Sequence, residues 1–584
     1  MIPLYAGHFA LFLVLGLPLA WLIIQSQKLN PAYTLILAIG ISALAGYLSF
    51  WAYFLTPVFG ILFSTGLIVL AIGYAIFLYR KRALTGLLAS KDVYFPLLLM
   101  LAVGLGYLAV LYGINTGDQP DQLAQLRFFD GTFPPDNVLP KILADRLYNG
   151  EDPRPLLGDW QSSDRPPLQA GIFLLQRPTA ELTNLRGGLH YQIIGTIAQC
   201  SWVAAVWALC RTIKLAARPI AIIMAFCIFS GFFFFHSLFV WPKLLAAALV
   251  VFACAVLLTA VYEDRPPTTI EAGLAAGVTA LGMLAHGGVV FTVPAIALML
   301  VRPKTFPGIR QIIVGFAVLL VFLAPWSAYQ KLYEPPANHL VKWHLAGVID
   351  AADKRSSWEA IVDAYRNAGV AQILHNKRTN VTELVGNPPD QSNTNYGRRS
   401  REYFYVFRGL GILNVGWLVY LWLLLKRPAA FKDFTHRIGT ILGVILVSLL
   451  FWIGVMFGPA ATTIHLGSYA TMILLFASLA ALVTPLPRLL IYALLAFQIV
   501  RFIIDWVVLT AVSSDTILMV VPNTWLFGLA ILSTVATTYL LYGLSHESQL
   551  HPAFLPIKTN LDSYLHQHHA QDDSEQGSTI EKPE

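Results

Sequence analysis

The chain has 584 residues, of which 57% are hydrophobic and only 12% charged. A soluble domain carries about 25% charged residues, so an ordinary soluble fold is excluded. A net charge of +7 on so apolar a sequence points to basic loops and phosphate-bearing lipid rather than nucleic acid.

Runs such as "LILAIGISALAGYLSFWAYFL" and "FGLAILSTVATTYLLYGL" recur from end to end, each near the roughly 20 residues that cross a bilayer as a helix. A membrane β-barrel would show segments of about ten residues with alternating polarity, and no such alternation occurs. The expected fold class is an all-α polytopic membrane protein with about fifteen transmembrane helices. The first run, "MIPLYAGHFALFLVLGLPLAWLIIQSQK", has no basic segment ahead of its apolar core and reads as a span rather than a cleaved signal. The connectors "YRKRALTGLLASK", "CRTIKLAARP", "RPKTFPGIR" and "LKRPAAFKDFTHR" are basic. Placing them in the cytoplasm puts the N-terminus outside and the C-terminus inside. Cys200, Cys210, Cys227 and Cys254 lie in or at the ends of apolar runs, so no pair can staple a loop and no metal-type spacing exists.

This gives six regions: N-terminal transmembrane helices over 1–113, a first large extracytoplasmic loop over 114–189, transmembrane helices over 190–328, a second large extracytoplasmic loop over 329–402, C-terminal transmembrane helices over 403–544, and a tail over 545–584. The polar tail reads as disordered and cytoplasmic. Gly287–Gly288 is a helix-breaking pair and a place for a re-entrant segment.

The first loop is the polar exception. Between Phe133 and Leu175 it holds six Asp or Glu and four Lys or Arg. After Pro134–Pro135, Asp136 opens an expected helix in which Leu139, Ile142, Leu143 and Leu147 recur at helical spacing, with Asn149–Gly150 as its stop. Such a helix lies along the membrane interface, with Asp136 at the positive end of its dipole. Two roles are open to Asp136, an N-cap or an ionised general base. Further on, "SSDRPPLQAGI" sets Asp164 and Arg165 before two rigid prolines, as a local ion pair or a headgroup-binding pair.

Later candidates are sparser. Lys243 in "FVWPKLL", His286 in "LAHGG" and His465 in "TIHLGSY" fall near outer ends of spans. Lys243 could reach a lipid phosphate or simply snorkel, and the histidines could pack or act. The second loop is rich in Lys and Arg, and "EPPANHLVKWHLAG" combines His339, Lys342, Trp343 and His344 as a sugar or headgroup contact or an aromatic anchor. The run "YGRRSRE", with Arg398 and Arg399, is the better phosphate candidate. Arg501 and Asp505, four apart in an apolar run, are expected to pair.

Three elements of the first loop, Asp136–Asn137, then Gly158–Asp159–Trp160, then Asp164–Arg165–Pro166–Pro167–Leu168, resemble the first extracytoplasmic loop of the GT-C glycosyltransferases. The branch most similar contains the protein O-mannosyltransferases and the lipid A aminoarabinose transferases. The match covers about forty residues, and beyond it only the many-spanning layout is shared. Two departures stand out: four spans precede this loop instead of one, and Asn137 replaces the second acidic residue of the family pair. The resemblance implies a GT-C-like active site formed by the two outer loops and an inverting sugar transfer from a polyprenyl-phosphate donor. The acceptor would be a hydroxyl of a protein, glycan or lipid. Asp136 would be the base, and Asp159, Asp164, Arg165, Lys243, Lys342, His344, Arg398 and Arg399 would bind substrate. It assigns no metal ligand, leaving a divalent metal open with Asp130, Asp159 and Asp164 as carboxylates. The chain reads as an integral membrane protein in contact with membrane lipids and not with nucleic acid, and with no organelle signal in the sequence a bacterial inner membrane is the default expectation. No P-loop or Rossmann fingerprint is present. The rival classes are a polysaccharide polymerase or ligase, which would depend on the second loop, and a lipid-linked-sugar transporter or flippase, which would show paired interrupted spans.

Overall fold

The computed structural model describes residues 2–113, 121–129, 135–185, 187–385, 406–458, 469–508 and 523–547. Among these the chain is helical throughout, with no strand beyond one isolated bridge between Leu157 and Trp160. Helices satisfy every backbone N–H and C=O internally, the condition that hydrocarbon imposes on a spanning segment. Ten helices are long and apolar enough to cross a membrane, the architecture of an integral membrane protein. Ala217–Ile228 and Gly231–Leu238, bent by 62°, make an eleventh if taken as one span. This is fewer than the fifteen or so expected. Four further apolar helices, Thr269–Ala285, Gly287–Leu298, Gly411–Lys426 and Tyr469–Val483, have 10–17 residues. At 1.5 Å per residue they fall short of a hydrocarbon core about 30 Å thick.

The helix Lys243–Tyr262 runs through the centre, with 94% of its apolar window buried. Its alanines Ala246, Ala247 and Ala248 are fully buried and admit close neighbours, the packing that small residues give helices in lipid. Thr269–Ala285, Trp202–Thr212 and Tyr469–Val483 pack around it. Pro57–Arg80 and Ile309–Tyr333 lie at the rim, only 17% and 11% buried, and expose Leu62, Val69, Phe316 and Val321.

The chain breaks where the Gly287–Gly288 pair stands. Thr269–Ala285 ends at His286 in extended backbone (φ −156°, ψ 122°), and a 3₁₀ turn, Gly287–Phe291, follows. Arg501 Nε lies 3.2 Å from Asp505 Oδ2, the expected pairing. All four cysteines are buried and free. The tail beyond Glu547 lies outside the described residues.

Both loops collect at the end of the bundle where Lys243 begins the central helix. The expected first-loop helix is present as a 3₁₀ turn, Pro135–Val138, followed by Leu139–Asn149, and Gly150 closes it in the left-handed region (φ 75°). Leu139, Leu143 and Leu147 are buried, while Ile142 is only half-buried. Their face packs on protein, chiefly the helix Leu168–Leu182, so the helix is anchored by the bundle. Leu168–Leu182 is itself locked to Thr34–Leu55 by two glycines. A Cβ on Gly171 would come within 2.2 Å of the Gly46 carbonyl oxygen, and one on Gly46 within 2.8 Å of the Ile172 backbone. Gly171→Leu should therefore push apart the helix that carries Arg165 at its entrance. Overpacking of this kind costs about 1–3 kcal/mol or more, read as a lower unfolding temperature in detergent, whereas the open Gly66 should accept Leu with little change.

Candidate functional site

The site begins with the Asp136 carboxylate. It does not cap its helix: the residue at the N-cap position is Val138, with no side-chain cap. Instead Oδ2 accepts from Arg165 Nη2 at 2.9 Å, and the two side chains are 14% and 11% exposed. Two further atoms of the pair, Asp136 Oδ1 and Arg165 Nε, are buried without a hydrogen-bond partner. A buried polar atom left unpaired costs about 1–3 kcal/mol, so the pair presents one open acceptor and one open donor side by side.

Arg165 is oriented from two sides. Its guanidinium lies 4.2 Å over the Trp160 ring, a cation–π contact. Trp160 is delivered by a tight turn in which its N–H donates to the Leu157 carbonyl at 3.0 Å. Gly158 takes φ +53° within that turn, a conformation cheap only for glycine. This is the local reason for the Gly-Asp-Trp element; Asp159 itself is exposed at the turn and stands outside the cluster.

Asp164 and Arg165, neighbours in sequence, take different partners. Asp164 is buried; its Oδ2 accepts from the Gln161 N–H at 3.0 Å and lies 3.0 Å from His339 Nδ1 in the second loop. Glu334 accepts from the Ser162 and Ser163 N–H groups at 3.3 and 2.6 Å and from Ser162 Oγ at 2.7 Å. Tyr329 Oη meets the same Ser162 Oγ at 2.5 Å. These bonds join the second loop to the strip that ends in Arg165.

One lysine and two histidines close the site. Lys243 is buried at the first position of its helix, 3.3 Å over Trp241 and 5.1 Å from the Tyr469 ring centroid. A cation at a helix N-terminus opposes the dipole; here aromatic faces surround it, and Asp136 and Arg165 lie in electrostatic range. His286 lies in range of Lys243, Arg165 and His344, and its Nδ1 accepts from the Gly288 N–H at 3.1 Å. Trp343 stacks with His344 at 5.7 Å and with His339 at 5.9 Å, and is 6.3 Å from Trp160.

Of the sequence candidates, Asp136, Arg165, Lys243 and His344 thus converge, with Asp164 positioning Arg165 from behind. Lys342 does not join them. It is 1% exposed and committed to Asp353 through the backbone carbonyl and, at 3.3 Å, the carboxylate, so it staples the second loop. Arg398, Arg399, Asp130 and His465 lie outside the described residues. Sequence reasoning underweighted His286 and passed over Trp241, Tyr469 and the clamping role of Glu334. The helix break at His286 and the Trp-Pro-Lys run were the available signals; nothing marked Tyr469.

Asn137, in place of the family's second acid, is fully buried. Its side-chain amide donates to the Asp121 carbonyl at 3.0 Å and its own carbonyl accepts from Tyr191 Oη at 2.8 Å, a structural anchor for the turn below Asp136. Among the described residues no three His, Cys, Asp or Glu side chains converge as a metal site. Arg165 and Lys243 beside Asp136 are basic, which disfavours a divalent ion there, and the described residues do not fit a metal.

The Asp164 carboxylate beside His339 holds that imidazole's pKa above its ordinary value, against partial burial. A histidine raised in the folded state contributes stability that is complete below its unfolded value, near 6.5, and is lost as pH rises through the folded value. Unfolding temperature in detergent should therefore fall as pH rises above about 6.5, and His339→Gln should lower stability at acidic pH and flatten that slope. No family model, curated protein or solved structure matches this chain, so its functional reading rests on this geometry and on the loop motif.

Proposed function

We propose that the chain is a membrane glycosyltransferase that moves a sugar from a polyprenyl-phosphate donor to an acceptor hydroxyl, with inversion and with Asp136 as general base. The observation that carries the reading is the half-satisfied Asp136–Arg165 pair: one buried carboxylate oxygen and one buried guanidinium N–H, both unpartnered, with Lys243 in electrostatic range. An acceptor hydroxyl can donate to Asp136 Oδ1. A donor phosphate can accept from Arg165 Nε, with Lys243, His286 and His344 within electrostatic reach of one another or of the pair. Trp160 and Trp343 offer ring faces for a sugar.

The acceptor oxygen gives its proton to Asp136 and bonds to the anomeric carbon. The bond from that carbon to the phosphate oxygen breaks, its electron pair leaves with the phosphate, and polyprenyl phosphate departs. General-base assistance contributes about 10²–10⁴ in rate. Fixed cations aimed at the leaving phosphate supply a second, electrostatic contribution in a site shielded from water. The resemblance of the first loop to the GT-C transferases supports the same chemistry.

The topology is consistent with this reading. The Asp164–His339 and Ser162–Glu334 bonds keep the two loops together. Both loops then share one face, the extracytoplasmic side of a bacterial inner membrane under the positive-inside rule.

Purified protein in lipid, offered a panel of radiolabelled polyprenyl-phosphate sugars, should release polyprenyl phosphate and label an acceptor with inverted anomeric configuration. Arg165→Gln and Lys243→Met should each weaken donor use by at least about tenfold, the worth of a hydrogen bond to a charged group. Failure of every donor to transfer, with fast flipping of any of them, would replace the transferase with a transporter.

A further inference from the structure

The other end of the bundle carries a second site that the transfer chemistry does not use. The central helix starts at Lys243 and ends at Tyr262, whose hydroxyl donates to the Arg437 carbonyl at 2.9 Å. Arg437 belongs to the helix Lys432–Val455, which runs back toward the loops; the Met456 carbonyl just beyond its end accepts from Asn380 at 2.9 Å. A groove of about 630 Å³ opens beside the start of this helix, against Val293–Leu298 and Val415–Lys426.

The groove is two-sided in chemistry. Leu298, Met299, Leu423, Val444 and Val447 line it, with Leu423 and Val444 buried. Small residues make its floor: a Cβ on Gly443 would meet nothing within 4 Å, and one on Gly439 only the Tyr420 phenol. Arg302, Arg427, Lys432 and His436 stand exposed at its mouth. Among the described residues no carboxylate lines it and none pairs with Arg302, Arg427 or Lys432. The nearest acid in sequence, Asp433, is bound to Arg437 at 2.8 Å. Arg427 ends its helix in the left-handed region (φ 44°), where glycine is the usual residue, so a cation stands where the backbone alone would favour glycine.

An apolar slot between helices with cations at its mouth and no anion matches one ligand chemistry, a hydrocarbon chain ending in a phosphate at the headgroup level. We propose that this groove binds an anionic phospholipid, acyl chain inward and phosphate on Arg302 and Arg427, at the face opposite Asp136. The groove then anchors the short helices that would otherwise leave lipid-depth space unfilled.

The test uses the full chain, delipidated in detergent and titrated with dioleoyl phosphatidylglycerol or dioleoyl phosphatidylcholine, with bound lipid counted by native mass spectrometry. One phosphatidylglycerol should be retained in clear preference to phosphatidylcholine. Arg302→Gln and Arg427→Gln should each weaken it about fivefold, the effect of one cation near an anionic surface. Gly443→Phe, which fills the floor with the mouth intact, should also displace it. Equal retention of both lipids, indifference to the mouth variants, or full competition by inorganic phosphate alone would overturn the proposal.

Discussion

A carboxylate and a guanidinium, 29 residues apart in sequence and 2.9 Å apart in space, hold the two ends of the first loop together. Buried ion pairs are costly to assemble and more costly to break, since removing one partner leaves a charge in low dielectric at about 3–5 kcal/mol. The surrounding structure is arranged to make this pair tolerable. Trp160 supports the guanidinium face, Asn137 pins the turn beneath the carboxylate, and the Gly46–Gly171 contact fixes the helix that follows Arg165. The pair is nevertheless left with one open oxygen and one open N–H.

The second loop explains why Asp164 and Arg165 must be adjacent. Asp164 faces away from the site and meets His339, while Glu334 takes the N–H groups of Ser162 and Ser163. Arg165 is thus presented from a strip of backbone gripped by the other loop. The two loops form one wall, and a change on the second is felt at Asp136 through this grip. Lys342, stapled to Asp353, stiffens the same wall from within.

Much of this was legible in the sequence because it is local. The spacing of Leu139, Leu143 and Leu147 and the stop at Gly150 defined the loop helix, and the Arg501–Asp505 spacing defined its pair. The Gly-Asp-Trp and Asp-Arg-Pro-Pro elements marked the site through motif order. What the sequence hid was partnership across distance. Asp136 reads as a plausible N-cap until its oxygen is seen on Arg165. Lys342 and Lys243 are alike as isolated lysines, yet one meets a carboxylate and the other an aromatic box. Span counting overshot because hydropathy does not register that helices such as Tyr469–Val483 are short or that Ala217–Ile228 and Gly231–Leu238 bend by 62° at their junction.

The central claim is that the open oxygen of Asp136 accepts the acceptor's proton. Asp136→Asn preserves the shape and an oxygen for Arg165 while removing the base. The decisive measurement is single-turnover transfer by this variant in lipid, alongside donor affinity and unfolding temperature. The account requires transfer to fall at least about a hundredfold with donor affinity retained and the fold intact. Transfer within a few-fold of the unmodified chain would contradict it.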